Sequence, residues 1–200
     1  MGRVFRSLAA AVVFVACTGG VGYTAVAVER LSVRVYDAAG MSSADRAHAM
    51  ARAGKILGAA RVPVEWRDCT PLIFVTHPSC RESPAKGELV VRLVRSGAPD
   101  ASRALGEAFI DPVTGKGVLA TVFVDRIEAL AAAANADLPP LVARVTAHEI
   151  GHLLLGSQSH TDTGLMRETW TVKDVASNRY EDWMFSRGDI NRLRRALRLS

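Results

Sequence analysis

The chain is poor in cysteine. It holds three in 200 residues, and none forms the C-x-x-C pair of a zinc knuckle. It also lacks internal repeats and low-complexity linkers, and no long run carries charge of one sign. Those absences exclude a solenoid, a collagen-like rod, a coiled coil and a disordered chain. What remains is ordinary for a globular protein: 49% hydrophobic residues, 22% charged, and a formal net charge of +5. Two hundred residues suffice for one domain with a sizeable core.

The net positive charge says little about partners. Arg3 and Arg6 supply part of it, and the segment "RGDINRLRRALR" at 187–198 supplies much of the rest. In that segment Ile190, Leu193 and Leu197 recur at helical spacing, so the arginines form the outer, solvated face of a helix. Ser186 and Asp189 have the spacing of a capping box. No nucleic-acid partner is expected.

The N-terminus stands apart. Two arginines precede an apolar run at 8–16, and small residues follow, ending in Ala25-Val26-Ala27. This is the layout of a secretory signal, so residues 1–27 are read as a leader and 28–200 as a single domain. Two other readings stay open. Phe14-Val15-Ala16-Cys17 resembles a lipobox that ends in a lipidated Cys17, and residues 8–28 carry no charge and have the length of a membrane anchor. Each reading exports the domain, to the cell envelope or beyond it. A membrane is involved only through such a lipid or anchor. In an oxidising compartment Cys69 and Cys80 are then expected to form a disulfide.

Periodicity outlines the domain. "LSVRVYD" (31–37) alternates as a strand, 42–60 reads as a helix capped by Ser42 or Ser43, and "VPVEWRD" (62–68) is a second strand. Together they make a β-α-β unit with parallel strands. "ELVVRLV" (88–94) is a third strand. The two strand-like runs within 104–125 flank the turn residues of 111–117 and predict a hairpin or a longer loop between neighbouring strands. A short helix follows at 126–136, with Asp125 as its cap. A longer helix is capped by Asp137, carries Pro139 and Pro140 in its first turn and stops at Gly156.

The chemistry lies at the end of that helix. "HEIGH" places His148 and His152 four residues apart, so both imidazoles project from one face, with Glu149 beside the first. Two neutral imidazoles are ordinary zinc ligands, and a neighbouring carboxylate is placed to act as general base on water activated by the metal. Catalytic zinc takes a third protein ligand. His160 is favoured over Gln158, a neutral amide, and over Asp162, because imidazole suits zinc best. Glu168 and Glu181 stay open as more distant carboxylate ligands. His48 and His77 are read as ordinary histidines.

The run "HEIGHLLLGSQSHTDTGLM" resembles the metzincin zinc peptidases, whose pattern is H-E-x-x-H-x-x-G-x-x-H followed by a methionine turn. On this chain the resemblance implies His148, His152 and His160 as ligands, Glu149 as base and Met166 as the turn methionine. Gly156 comes one residue later than in the pattern, and three residues separate it from His160. The resemblance further implies an α+β domain: a mixed, mainly parallel twisted sheet with an antiparallel edge strand, a backing helix and an active-site helix. "LGEAF" then belongs to the edge strand, with Ala104, Leu105 and Gly106 binding an extended peptide by strand addition. Tyr180 falls where some members place a tyrosine that stabilises the tetrahedral intermediate; the other reading packs it beside Trp170 and Trp183.

The expectation is an exported, monomeric zinc endopeptidase that hydrolyses peptide bonds of a peptide or protein substrate by zinc-activated water. Two alternatives are a protease with Glu168 or Glu181 as third zinc ligand, and a non-catalytic exported zinc-binding module. An aminopeptidase would need an amine-binding group that the sequence does not offer.

Overall fold

The computed structural model describes residues 30–70, 78–96 and 104–198. The leader at 1–27, with Cys17, and His77 lie outside the described residues. Within them the chain runs β1 (Leu31–Asp37), α1 (Ser43–Ala59), β2 (Val64–Asp68), β3 (Leu89–Val94), β4 (Gly106–Phe109), β5 (Leu119–Phe123), α2 (Val124–Ala134), α3 (Leu138–Leu155), α4 (Val172–Ser177) and α5 (Arg187–Arg198). The strands form one sheet in the order β2-β1-β3-β5-β4. All pairs are parallel except β4 with β5, which is antiparallel and leaves β4 at the edge. This is the mixed, mainly parallel architecture expected. No helix among the described residues is long and apolar enough to cross a membrane.

Strand alternation divides the sheet into two unlike faces. Val33, Val35, Val91, Leu93, Ala120 and Val122 are buried with Leu57 of α1 and Ile150 of α3 in one core. Each large side chain buried there contributes roughly 1.5–3 kcal/mol. The intervening residues turn to the other face, and there the chain buries charge instead. Arg34 of β1 meets Glu88 at 2.6 Å, and both are almost fully buried. Glu88 also accepts from the Ala85 amide at 2.9 Å, and Arg67 reaches it at 3.0 Å. Arg34 donates a second bond to the Glu82 carbonyl at 2.7 Å. The loop before β3 is thereby fixed over the outer face of the sheet.

Cys69 and Cys80 close that loop as a disulfide, with their Cα atoms 5.5 Å apart. The chain-entropy model assigns such a short loop roughly 3 kcal/mol. Tyr36 donates its hydroxyl to the Cys80 carbonyl, so the bridge is also anchored to β1. On the opposite side Arg46 ties α1 to two strands, reaching Asp37 at 3.0 Å and Asp68 at 2.9 Å.

Helix ends show where local reasoning is enough. Ser42 accepts from the Asp45 amide, and Ser186 and Asp189 form their reciprocal pair at the start of α5. Gly156 ends α3 in the left-handed region, at φ 60°, where a glycine is least strained. Asp125 departs from expectation. The helix begins two residues earlier than expected, at Val124, and the Asp125 carboxylate accepts from the amide and hydroxyl of Ser96 beyond β3. A long-range partner took the oxygen that a cap would have used. α4, with a full capping box between Thr171 and Asp174, was not anticipated; it is six residues long and too short to show periodicity.

Glu88 offers a test of the buried charge. Its bond to Arg34, opposed by burial, holds its carboxyl down at about 2 against an ordinary 4.5. The resulting stability is therefore present in full above pH 4.5 and is lost as pH falls toward 2. Glu88→Gln leaves a buried guanidinium without its counter-charge and is expected to cost on the order of 3 kcal/mol at neutral pH. Urea unfolding should show this loss, and the variant should lose less stability than the wild type between pH 4.5 and 2.

Candidate metal centre

α3 is buried along nearly its whole length, and its last two turns carry His148, Glu149 and His152 into the domain. Burial of two histidines and a glutamate on one helix is costly without partners. The imidazoles find them on one side only. His148 donates Nδ1–H to the Leu165 carbonyl at 2.8 Å, and His152 donates Nδ1–H to the Ser157 carbonyl at 2.8 Å. A carbonyl can only accept, so these bonds set the tautomer of both rings. Each Nε2 is left with a lone pair and no proton.

Those lone pairs converge. The Nε2 atoms of His148 and His152 are 2.9 Å apart, and His160 brings its own Nε2 to 3.2 Å from that of His152. Among the described residues, His148, His152 and His160 are the group of three ligating side chains able to share one ion. Two acceptor nitrogens facing each other repel unless a cation lies between them. Nitrogens bound tetrahedrally to zinc at about 2.0–2.1 Å stand roughly 3.3 Å apart, close to these separations. The cluster fits Zn2+. Burial pushes His148 down to about 4 and lowers His152 as well, which keeps both rings in the neutral form that a metal requires.

The loop that delivers His160 is held at both ends. After Gly156, Ser157 and Ser159 bond to each other through their hydroxyls at 2.8 Å, and the Gln158 amide donates to the Ala108 carbonyl of β4 at 2.5 Å. Beyond His160, the Thr161 amide donates to the Met166 carbonyl at 2.9 Å, and the Leu165 amide donates to the Met184 carbonyl at 2.8 Å. Met166 is fully buried beneath α3. A Cβ built on Gly151 would lie 2.8 Å from the Met166 sulfur and 2.8 Å from the Phe185 ring, so only glycine lets the helix settle there.

Glu149 points the other way, to the edge strand. A Cβ on Gly106 would lie 2.7 Å from its Oε1, so the missing side chain at 106 makes room for the carboxylate. Burial pushes Glu149 up to about 8, and the nearby Glu107 carboxylate adds to the effect. A divalent cation beside it acts in the opposite sense.

Glu149 and the three histidines line a cleft of about 920 Å³. Ala104, Leu105 and Gly106 form one wall and Arg167, Glu168 and Trp170 another. Leu130, Val145 and Val172 give it an apolar lining that the spacing of the motif did not announce. Trp170 stacks edge-on against both His148 and Trp183. Of the other sequence candidates, Glu168 lines the cleft, whereas Asp162 and Glu181 are exposed and do not. Tyr180 is 69% exposed and neither lines the cleft nor packs into the core, because it sits on a short 3-10 turn that faces solvent.

No family model matches the chain, and no curated protein matches it. Solved structures do. An archaemetzincin from Methanopyrus kandleri superposes with a TM-score of 0.53 at 18% identity, over 84% of this chain and 96% of that one. A zinc-dependent peptidase from Methanocorpusculum labreanum superposes with a TM-score of 0.53 at 15% identity, over 80% of this chain and 99% of that one. The chain shares its fold with these two proteins. At such identities the likeness carries the fold, and the chemistry rests on the residues.

Two outcomes are expected. Purified protein binds one equivalent of zinc by elemental analysis, and alanine at His148, His152 or His160 removes it or weakens it severely. Gly151→Ala overpacks the contact with Met166 and Phe185 and lowers stability by about 1–3 kcal/mol, measured by thermal unfolding.

Proposed function

We propose that the chain is an exported zinc-dependent endopeptidase of metzincin type. The observation that carries this reading is the convergence of three imidazole nitrogens on one point, with a buried carboxylate beside them at the wall of an open cleft. A binding module needs the histidines but has no use for Glu149, which is costly to keep in that position.

Zn2+ held by His148, His152 and His160 supplies a Lewis acid that acidifies water and polarises a carbonyl oxygen. Glu149 takes the proton of the attacking water and returns it to the leaving nitrogen. The carbonyls of Leu165 and Ser157 hold the two helix imidazoles in one tautomer and one orientation. Met166, closing the loop under Gly151, takes the part of the turn methionine. On the edge strand Gly106 turns its backbone groups outward to an extended peptide, while the Leu105 carbonyl accepts from the Phe123 amide and the Ala104 carbonyl from Arg126. Export is supported by the layout of the first 27 residues and by the bonded cysteine pair.

Glu149→Gln is expected to keep its zinc and lose at least about a hundredfold in peptide hydrolysis. Unchanged cleavage of a broad peptide library by this variant would sink the role of Glu149. Zinc-loaded wild-type protein that cleaves nothing would favour the binding module. Metal lost by Glu168→Ala and retained by His160→Ala would transfer the third ligand to the carboxylate.

A further inference from the structure

The edge strand is not open along its length. Phe123 donates its amide to the Leu105 carbonyl at 2.9 Å, which makes Leu105 and Phe123 a hydrogen-bonded pair of the antiparallel ladder. Such pairs alternate, so Glu107 and Phe109 also turn their backbone groups toward β5, while Gly106 and Ala108 turn theirs outward. Gly106 and Ala108 are thus the residues of β4 that a substrate backbone can address. The Ala108 carbonyl is already taken by the side-chain amide of Gln158. The loop around Gln158 does not present that amide casually. The Ser157 carbonyl is held by His152, the Ser157 hydroxyl accepts from the Ser159 amide at 3.1 Å, and the two serine hydroxyls bond to each other.

Both ends of the strand are occupied by side chains of the cleft lining: Arg126 donates to the Ala104 carbonyl at 2.7 Å, and Gln158 stands at Ala108. Glu149 lies against Gly106, which puts the reacting bond near that residue. A peptide that adds to β4 antiparallel, the more stable pairing, runs from Ala108 toward Ala104. Residues before the scissile bond then fall on the Ala108 side, and residues after it on the Ala104 side.

Resting on the peptidase reading above, we infer that Gln158 is a specificity-determining residue: it caps the edge strand at Ala108 and ends backbone recognition about two residues before the scissile bond. The amide of Gln158 stands in for the backbone N–H that a longer substrate would bring to Ala108.

The test is a nested series of peptides with one to five residues before a fixed cleavage site and a constant segment after it. For the wild type, kcat/KM should level off after the second preceding residue. For Gln158→Ala it should go on rising, by about tenfold with the third and fourth. Gln158→Glu, which cannot donate, should follow the alanine variant. A wild type that already gains from the third and fourth residues, or an alanine variant with the wild-type profile, overturns the proposal. The same series titrated calorimetrically against zinc-loaded Glu149→Gln protein, with and without Gln158→Ala, reads the strand without catalysis. A length dependence released there by Gln158→Ala supports the cap even if no turnover is seen, so a failure of the peptidase reading is told apart from a failure of this one. Absence of any such release overturns the cap.

Discussion

Two hydrogen bonds from imidazole Nδ1–H to backbone carbonyls govern this molecule. They turn His148 and His152 so that both Nε2 lone pairs face one point, and they do so with groups that no side-chain substitution removes. The cost is that two carbonyls must be held in place. For Ser157 the turn after Gly156 suffices. For Leu165 the demands spread further, to the bond from its amide to Met184 and to Met166 and Phe185 seated against Gly151. The C-terminal third of the domain thus acts as the support of one ring nitrogen.

The domain buries charge in two ways. On the outer face of the sheet Arg34 and Glu88 neutralise each other and share their remaining bonds with the backbone. At the cleft burial itself, with the Glu107 carboxylate nearby, makes Glu149 hold its proton more tightly. The first arrangement serves stability. The second is costly to stability, and groups perturbed in this way gather at functional sites.

Much of this was legible in the chain. Period-two alternation located the strands, Gly156 the end of the long helix, and the H-E-x-x-H spacing the pair of imidazoles on one face. Each of those signals is local. What the sequence left hidden depends on partners far along the chain. Asp125 has the position of a cap, yet it bonds to Ser96. Tyr180 has the position of a functional or packing aromatic, yet it lies in solvent. Gln158 stands where the related pattern has its third histidine, and its amide bridges to β4, whose approach no spacing within the motif encodes. Gly106 reads as an ordinary strand glycine until Glu149 is placed against it.

The groups from His148 to Met166 that build the metal centre all lie on one helix and the loop directly after it. Closing so short a stretch costs little chain entropy, whereas the parallel strands are joined across long crossovers whose closure costs more. The ligand cluster is therefore the topologically inexpensive part of the molecule. Gly106, which arrives from a distant strand to lie against Glu149, is the part that depends on the completed sheet, so ligand geometry and cleft geometry answer to different portions of the folding free energy.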